Sequence, residues 1–267
     1  MKKKLLITAL VITIISVPLI ASAGSFRAVP VKLYLDARTK TAVLKVTNDG
    51  EEKVTVQLEA VSWRQDNDGK DIYEPTKDIV FFPKIADIEQ GQEKIIRVGY
   101  EGKKATAPES TEKTYRLFIQ ELPVSKPGEV AIKMAIRMGL PIFVAPETKA
   151  VKQGIIEKMA LSDGSLTVKV RNAGNSHLIL SRIKAKGIDG AGGEAFSAES
   201  PGWYVLAGSA RGFAVDVGKA DCLKAREIKA EAEADKVVIT GSLNVDKNLC
   251  ADKPKLASKE PREQRSK

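Results

Sequence analysis

The stretch GEVAIKMAIRMGLPIFVAP, Gly128 to Pro146, decides how this chain folds. From Val130 to Leu140 the residues alternate without a break. Val130, Ile132, Met134, Ile136, Met138 and Leu140 line one side, and Ala131, Lys133, Ala135, Arg137 and Gly139 line the other. Period-two alternation is the pattern of a strand with one buried face. The run is about twice the usual strand length. At a sheet edge it would present unpaired N–H and C=O groups beside a row of large apolar side chains, with no charge or proline interrupting that row before Pro141. A long core strand produces the same alternation, so the pattern alone leaves both placements open.

Similar strand signals lie on either side of this stretch. VKLYLD, TAVLKVTND, VTVQLEAVSW, DIVFFPKIADI, EKIIRVGY and TYRLFIQELP come before it, separated by turns at NDGEE, QDNDGK, EQGQ, GKKATAPEST and SKPGE. Such spacing predicts an immunoglobulin-like sandwich. After APETKAVKQG the rhythm resumes with GSLTVKVRNAGN, SHLILSRIKAKG, GWYVLAG and ARGFAVDV, followed by a hairpin bounded by two cysteines. The predicted fold class is all-β: two immunoglobulin-like sandwich domains set at an angle, with a cleft between them. The boundaries expected are 24–147 for the first domain and 148–250 for the second. The two halves share a strand rhythm but show no quotable repeat.

The N-terminus, MKKKLLITALVITIISVPLIASA, has a basic start, an apolar run and an Ala-Ser-Ala ending. That is the layout of a cleaved secretory signal over residues 1–23; an uncleaved anchor is the alternative. With cleavage, no stable membrane insertion is expected, and the protein works outside the cytoplasm. The formal charge is +9, of which the signal's three lysines and a net +3 from the tail 251–267 account for most. No basic block with interleaved aromatics appears, so nucleic acid is not an expected partner. The tail is polar, with two prolines, and reads as disordered.

Cys222 and Cys250 bracket LKAREIKAEAEADKVVITGSLNVDKNL. KVVITGSLNV reads as a strand, while the first half suits either strand or helix. If both are strands turning near Asp235 or Lys236, paired residues sum to 471 or 472. The cysteines then face each other at the hairpin's base, which predicts a structural disulfide. His177 is the only histidine and, without a nearby cysteine or carboxylate in sequence, reads as a turn or surface residue. No metal site, serine-nucleophile elbow or nucleotide loop is evident. GIDGAGGE reads as a loop. Neither a cofactor nor enzymatic activity is expected.

Several motifs in their order resemble the PapD-like periplasmic pilus chaperones. VKLYLDARTKTAVLKVTND is similar to that family's first two strands. FFPKIADIEQGQEKIIRV is similar to its proline-containing strand and Gly turn, and YRLFIQELP to its F strand. VAIKMAIRMGLPIFVAP is similar to its G strand, with Phe143 and Pro146 at family positions. VRNAGNSHLIL carries a looser resemblance in the second domain. The resemblance implies a chaperone that lends its G strand to incomplete pilus or fimbrial subunits and passes them to an outer-membrane usher. It places Val130, Ile132, Met134, Ile136 and Met138 on the donor strand. It places Lys32 at one of two cations that clamp the subunit's C-terminal carboxylate, although a generic strand lysine reads the same way. The family's second cation aligns with Pro141, and a further basic position, part of its interdomain ion pair, aligns with Ala145. Arg116 is therefore the expected substitute anchor, with Arg137 behind it. The short loop VSKPGE adds to the picture of a divergent branch. A secreted structural or adhesive module is the alternative function, and an enzyme on a β-sandwich is the third.

Overall fold

The computed structural model describes residues 26–102, 109–123, 134–234 and 237–250. Among the described residues the first half holds ten strands: β1 (Phe26–Val29), β2 (Leu33–Leu35), β3 (Thr41–Asn48), β4 (Val54–Gln65), β5 (Asp71–Pro75), β6 (Ile79–Phe82), β7 (Ile85–Ile88), β8 (Glu93–Tyr100), β9 (Lys113–Glu121) and β10 (Arg137–Val144). They form two facing sheets, one ordered β1-β3-β8-β6 and the other β2-β10-β9-β4-β5 with β7 also on β4. Alternate residues such as Leu44, Val46, Val56, Leu58, Ile96, Val98, Leu117, Ile119, Leu140 and Ile142 meet between them in one core. Each such side chain contributes roughly 1.5–3 kcal/mol through burial.

The second half holds β11 (Gly154–Ser162), β12 (Ser165–Asn172), β13 (Leu178–Ile188), β14 (Glu194–Pro201), β15 (Tyr204–Val205), β16 (Ala210–Asp216), β17 (Glu227–Ala234) and β18 (Val237–Asn244). A short helix, α1 (Lys219–Lys224), precedes β17. One sheet runs β11-β12-β16 and the other β14-β13-β17-β18, with β15 on β13. A separate core lies between them. The chain thus folds as two immunoglobulin-like sandwiches.

Four strands escaped the sequence pattern. β1 and β5 are short, and β11 and β14 are sheet-edge strands whose faces alternate only weakly. DIVFFPKIADI, expected as one strand, is two: β6 pairs with β8 and β7 with β4, so the chain changes sheet at Pro83. A proline has no amide for either ladder and suits that crossing.

The cysteine-bounded hairpin pairs Glu227 with Asn244 and Ala234 with Val237, so its residue sums are 471. Alternation, not helical composition, decides its first half. The disulfide between Cys222 and Cys250 is present, with a Cα separation of 5.7 Å. Its cysteines lie beyond the ladder, however: Cys222 is on α1 and Cys250 follows a single 3-10 turn at Lys247–Leu249.

The two domains do share a repeat, one too short to stand out in sequence. Asn48 in TNDG and Asn172 in RNAG are both fully buried. Each side-chain oxygen accepts the amide of the glycine two residues on, at 2.9 Å. Each Nδ2 donates to the carbonyl four residues on and to a distant strand-end carbonyl, Ile88 for Asn48 and Val205 for Asn172. The same amide corner therefore ties a turn to a neighbouring strand in both sandwiches.

Candidate functional site

In β10 the sequence expectation needs revising. β10 starts at Arg137 and continues through Pro141 to Val144. Met134 to Ile136 lie outside it, and Val130 and Ile132 fall outside the described residues. β10 pairs with β9 along its whole length, but with β2 only from Ile142 to Val144, in parallel. The Ile136 carbonyl accepts from the Glu121 amide, and the Ala145 amide donates to the Leu35 carbonyl. Peptide groups alternate between the two sides of a strand. Even-numbered residues of β10 therefore point their peptide groups at β9, and Arg137, Gly139 and Pro141 point theirs to the opposite edge. Pro141 is tolerated because its missing N–H falls on that edge and removes no bond to β9. Among the described residues, no backbone pairs with this edge from Arg137 to Pro141.

The apolar row on this strand leaves the core by degrees. Leu140 and Ile142 are buried in it, Met138 and Ile136 are partly buried against it, and Met134 is 90% exposed. The row is thus core from Leu140 onward and opens to solvent toward Met134.

The outer face of the same sheet is covered where the second domain meets it. Trp63 on β4, Arg116 on β9 and Phe143 on β10 point away from the first core, yet each is buried. Trp63 and Phe143 cluster with Leu206, and Tyr204 packs on them. Gln65 secures that segment by donating to the Tyr204 carbonyl at 2.9 Å and accepting from the Leu206 amide at 3.0 Å. Asp71 accepts from Trp203 Nε1 at 3.1 Å.

Arg116 is the principal cation of this junction and is only 6% exposed. Its Nη1 donates to the Gly139 carbonyl at 3.1 Å, on the unpaired edge of β10. Its guanidinium carbon sits 3.9 Å from the Trp63 ring centre, 5.6 Å from that of Tyr204 and 5.8 Å from that of Trp203. Aromatic faces attract a cation without neutralising it. Arg116 Nε and Nη2 are buried and have no hydrogen-bond partner among the described residues. Trp63 Nε1 and His177 Nε2 are in the same state, so four of the five such atoms gather at this junction. Polar groups left unpaired in a cluster mark a site organised for something other than stability. Burial raises the pKa of the nearby Tyr73 phenol, and the Arg116 charge works against that rise.

Lys32, just ahead of β2, directs its ammonium at the same Tyr204 ring, 5.9 Å from the centre. The two residues proposed as anchors from sequence thus converge on one aromatic ring. Arg137 is engaged elsewhere, paired with Glu59 at 3.1 Å and lying over Phe118 at 3.9 Å. Pro141 is opposite Arg116 in the ladder, and Ala145 is exposed.

His177 is not the surface residue its sequence setting suggested. It is 2% exposed, its Nδ1 lies 2.8 Å from Glu112 Oε1, and its ring stacks on Phe143 at 3.6 Å. The carboxylate partner comes from the other domain and is invisible in local sequence. Trp63, Trp203, Tyr204 and Gln65 also went unnoticed as site residues. The one available signal was an apolar residue in the polar phase of an alternating strand: Trp63 in β4 and Phe143 in β10.

Among the described residues, no helix is long and apolar enough to cross a membrane, and no group of three or more His, Cys, Asp or Glu side chains could hold a metal ion.

Residues 25–150 match the family described as "Pili and flagellar-assembly chaperone, PapD N-terminal domain". No curated protein matches the chain. Solved structures of similar fold include the CsuC–CsuE chaperone–tip adhesion subunit pre-assembly complex of Acinetobacter baumannii, at 21% identity and a TM-score of 0.55 over 82% of this chain and 98% of that one. The Pseudomonas aeruginosa CupB2 chaperone is similar at 18% identity and 0.51 over 82% and 100%. The E. coli chaperone DraB is similar at 16% and 0.52 over 83% and 98%. These likenesses carry the two-sandwich fold across both domains. The first of those domains therefore belongs to the PapD N-terminal domain family of pili and flagellar-assembly chaperones.

Proposed function

We propose that this protein is a periplasmic chaperone that captures pilus or fimbrial subunits by adding a strand to them, then delivers them to an outer-membrane usher. On this view residues 1–23 are a cleaved signal, 24–147 and 148–250 are the working domains, and 251–267 is a tail. The observation carrying the proposal is the step in the β10 edge. β2 fills that edge in parallel from Ile142 onward, and from Arg137 to Pro141 no backbone among the described residues pairs with it. A guest strand added there in parallel would be collinear with β2, and its C-terminus would end where β2 begins. Lys32 and Arg116 stand at that point, both facing Tyr204.

Strand addition obtains affinity from backbone hydrogen bonds and selectivity from alternating side chains. Met134, Ile136 and Met138 would supply those side chains, together with Val130 and Ile132. Methionine suits such a task because an unbranched thioether adapts to imperfect pockets. The guest's carboxylate would satisfy Arg116 Nε and Nη2, with Lys32 as a second point charge. No nucleotide enters this scheme, since an incomplete guest fold supplies the driving force.

Co-expression with a fibre subunit tests the proposal. The chaperone should co-purify with the subunit from periplasmic extracts as a defined complex. Met134→Asp should abolish that complex without affecting the fold, because Met134 is almost fully exposed. Full capture by Met134→Asp and Ile136→Asp together would refute strand addition through this segment. Unchanged capture by both Lys32→Ala and Arg116→Ala would refute the anchor.

A further inference from the structure

The family's basic position for an interdomain ion pair is occupied here by Ala145, which is exposed and uncharged. Another acid–base pair crosses between the domains. Glu112, at the entrance to β9, receives three contacts from His177, at the entrance to β13. The His177 backbone amide donates to Oε1 at 3.1 Å, and Nδ1 lies 2.8 Å from Oε1 and 3.0 Å from Oε2. The side chains are only 3% and 6% exposed. The other interdomain ion pair among the described residues is looser and wetter: Arg211 and Asp71 at 3.6 Å, with side chains 28% and 17% exposed.

The pair is built into the surrounding backbone. Glu112's amide donates to the Asn175 carbonyl at 2.9 Å. The Asn175 side chain accepts from the Val151 amide at 2.7 Å and donates to the Ser110 and Lys149 carbonyls. The linker, the entrance to β9 and the turn before β13 are thereby joined at one place. His177 then stacks on Phe143 with its ring plane only 10° from parallel, and the Tyr34 and Tyr204 rings lie 6.2 Å away. One imidazole thus touches or faces β2, β10 and β15, three of the elements around the cation site. A linker alone is a hinge; a second, dry contact beside it that grips the sheet removes the hinge's freedom.

We propose that Glu112 and His177 form the lock that fixes the angle between the two domains and thereby sets where Tyr204 stands over Lys32 and Arg116. They are positioning residues and touch no guest. The lock stands independently of the proposed function; only its consequence for guest capture rests on it.

The test is a distance measurement on the full chain, with spin labels at Lys94→Cys on β8 and Lys186→Cys on β13, both exposed positions. The parent should give one narrow interdomain distribution. Glu112→Ala and His177→Phe should each broaden it at least about twofold, while amide spectra keep the dispersion of both folded domains. His177→Phe retains the stack on Phe143 and the backbone amide's bond to Glu112, so broadening there isolates the contact between the imidazole and the carboxylate. Glu112→Gln, which keeps volume and one acceptor, is the milder variant should Glu112→Ala fail to fold, and it should broaden the distribution less. Unchanged width in His177→Phe and Glu112→Gln overturns the lock. Binding of a short alternating Thr-Val peptide with a free carboxylate gives a second readout. Loss of peptide binding in Glu112→Ala with Arg116 intact links the lock to the site. If the parent binds no peptide but the widths change as stated, the lock survives and the strand-capture proposal is what fails.

Discussion

Replacing Arg116 by methionine separates a residue kept for stability from one kept for a ligand. The side chain has two buried donors without partners among the described residues. Each such donor costs roughly 1–3 kcal/mol in the folded state, so methionine relieves about 4 kcal/mol at mid-range. Against this stand the bond to the Gly139 carbonyl and the stacking on Trp63. A bond from a charged donor contributes roughly 1.5–3 kcal/mol and a desolvated cation–π contact about 2 kcal/mol. The freed Gly139 carbonyl lies on the edge of β10 with which no backbone among the described residues pairs. The two sides nearly cancel, so Arg116→Met should shift the stability of the first domain by no more than about 1–2 kcal/mol, of either sign. A buried arginine that is part of a structural ion pair costs roughly 3–5 kcal/mol when its partner is stranded. Urea unfolding followed by far-ultraviolet circular dichroism resolves that difference, and it avoids Trp63 fluorescence, which the substitution perturbs directly. On the same samples, the parent should prefer a peptide with a free C-terminal carboxylate over its amide by about tenfold or more, equivalent to about 1.4 kcal/mol. Arg116→Met should lose that preference. A loss of more than about 3 kcal/mol in stability, or a retained preference for the free acid, would refute the assignment of Arg116 as an anchor.

Removing the disulfide by Cys222→Ser with Cys250→Ser opens a loop spanning 28 residues, and chain entropy puts the cost at about 3–4 kcal/mol. Thermal unfolding should show the second domain melting earlier while the first is unaffected. Gly139→Ala places a Cβ 2.8 Å from the Phe118 ring; overpacking of this kind costs roughly 1–3 kcal/mol, read by denaturant unfolding. That ring must also turn away from Arg137. Burial, and then the bond to Asp78 at 2.8 Å, hold the Tyr115 phenol above the usual tyrosine range. A raised folded pKa means the contribution is intact below about pH 10, the unfolded value, and is lost as pH rises from there toward the folded value. Spectrophotometric titration should find Tyr115 still protonated at pH values where exposed tyrosines have ionised, and Tyr115→Phe should remove that late step.

The sandwich cores were legible because a period of two is imposed by the strand itself. Leu44, Val46, Ile96 and Val98 announce their face without reference to any partner. The junction was not legible for the opposite reason. Glu112 and His177 are separated by 65 residues, and neither has a neighbour that betrays the other. Trp63 and Phe143 did leave a trace, as large apolar groups in the polar phase of their strands, but that trace matters only once something is known to cover that face. The Lys32 and Arg116 assignments came from resemblance and from an odd charge in an apolar strand; the ring they share, Tyr204, lies in the other domain. The alternating run could not place the start of β10, because it records side-chain pattern, while backbone pairing with β9 governs where β10 begins. Glu121 is the last β9 residue available to it.

Because β2 runs in parallel along β10 and begins only at Leu33, it acts as a ruler laid on that margin with its zero mark at Pro141. A visiting chain aligned on the same margin would be measured backwards from its own last residue, whatever its composition. Length from the tail end, rather than any particular motif, would decide which of its side chains meets which methionine.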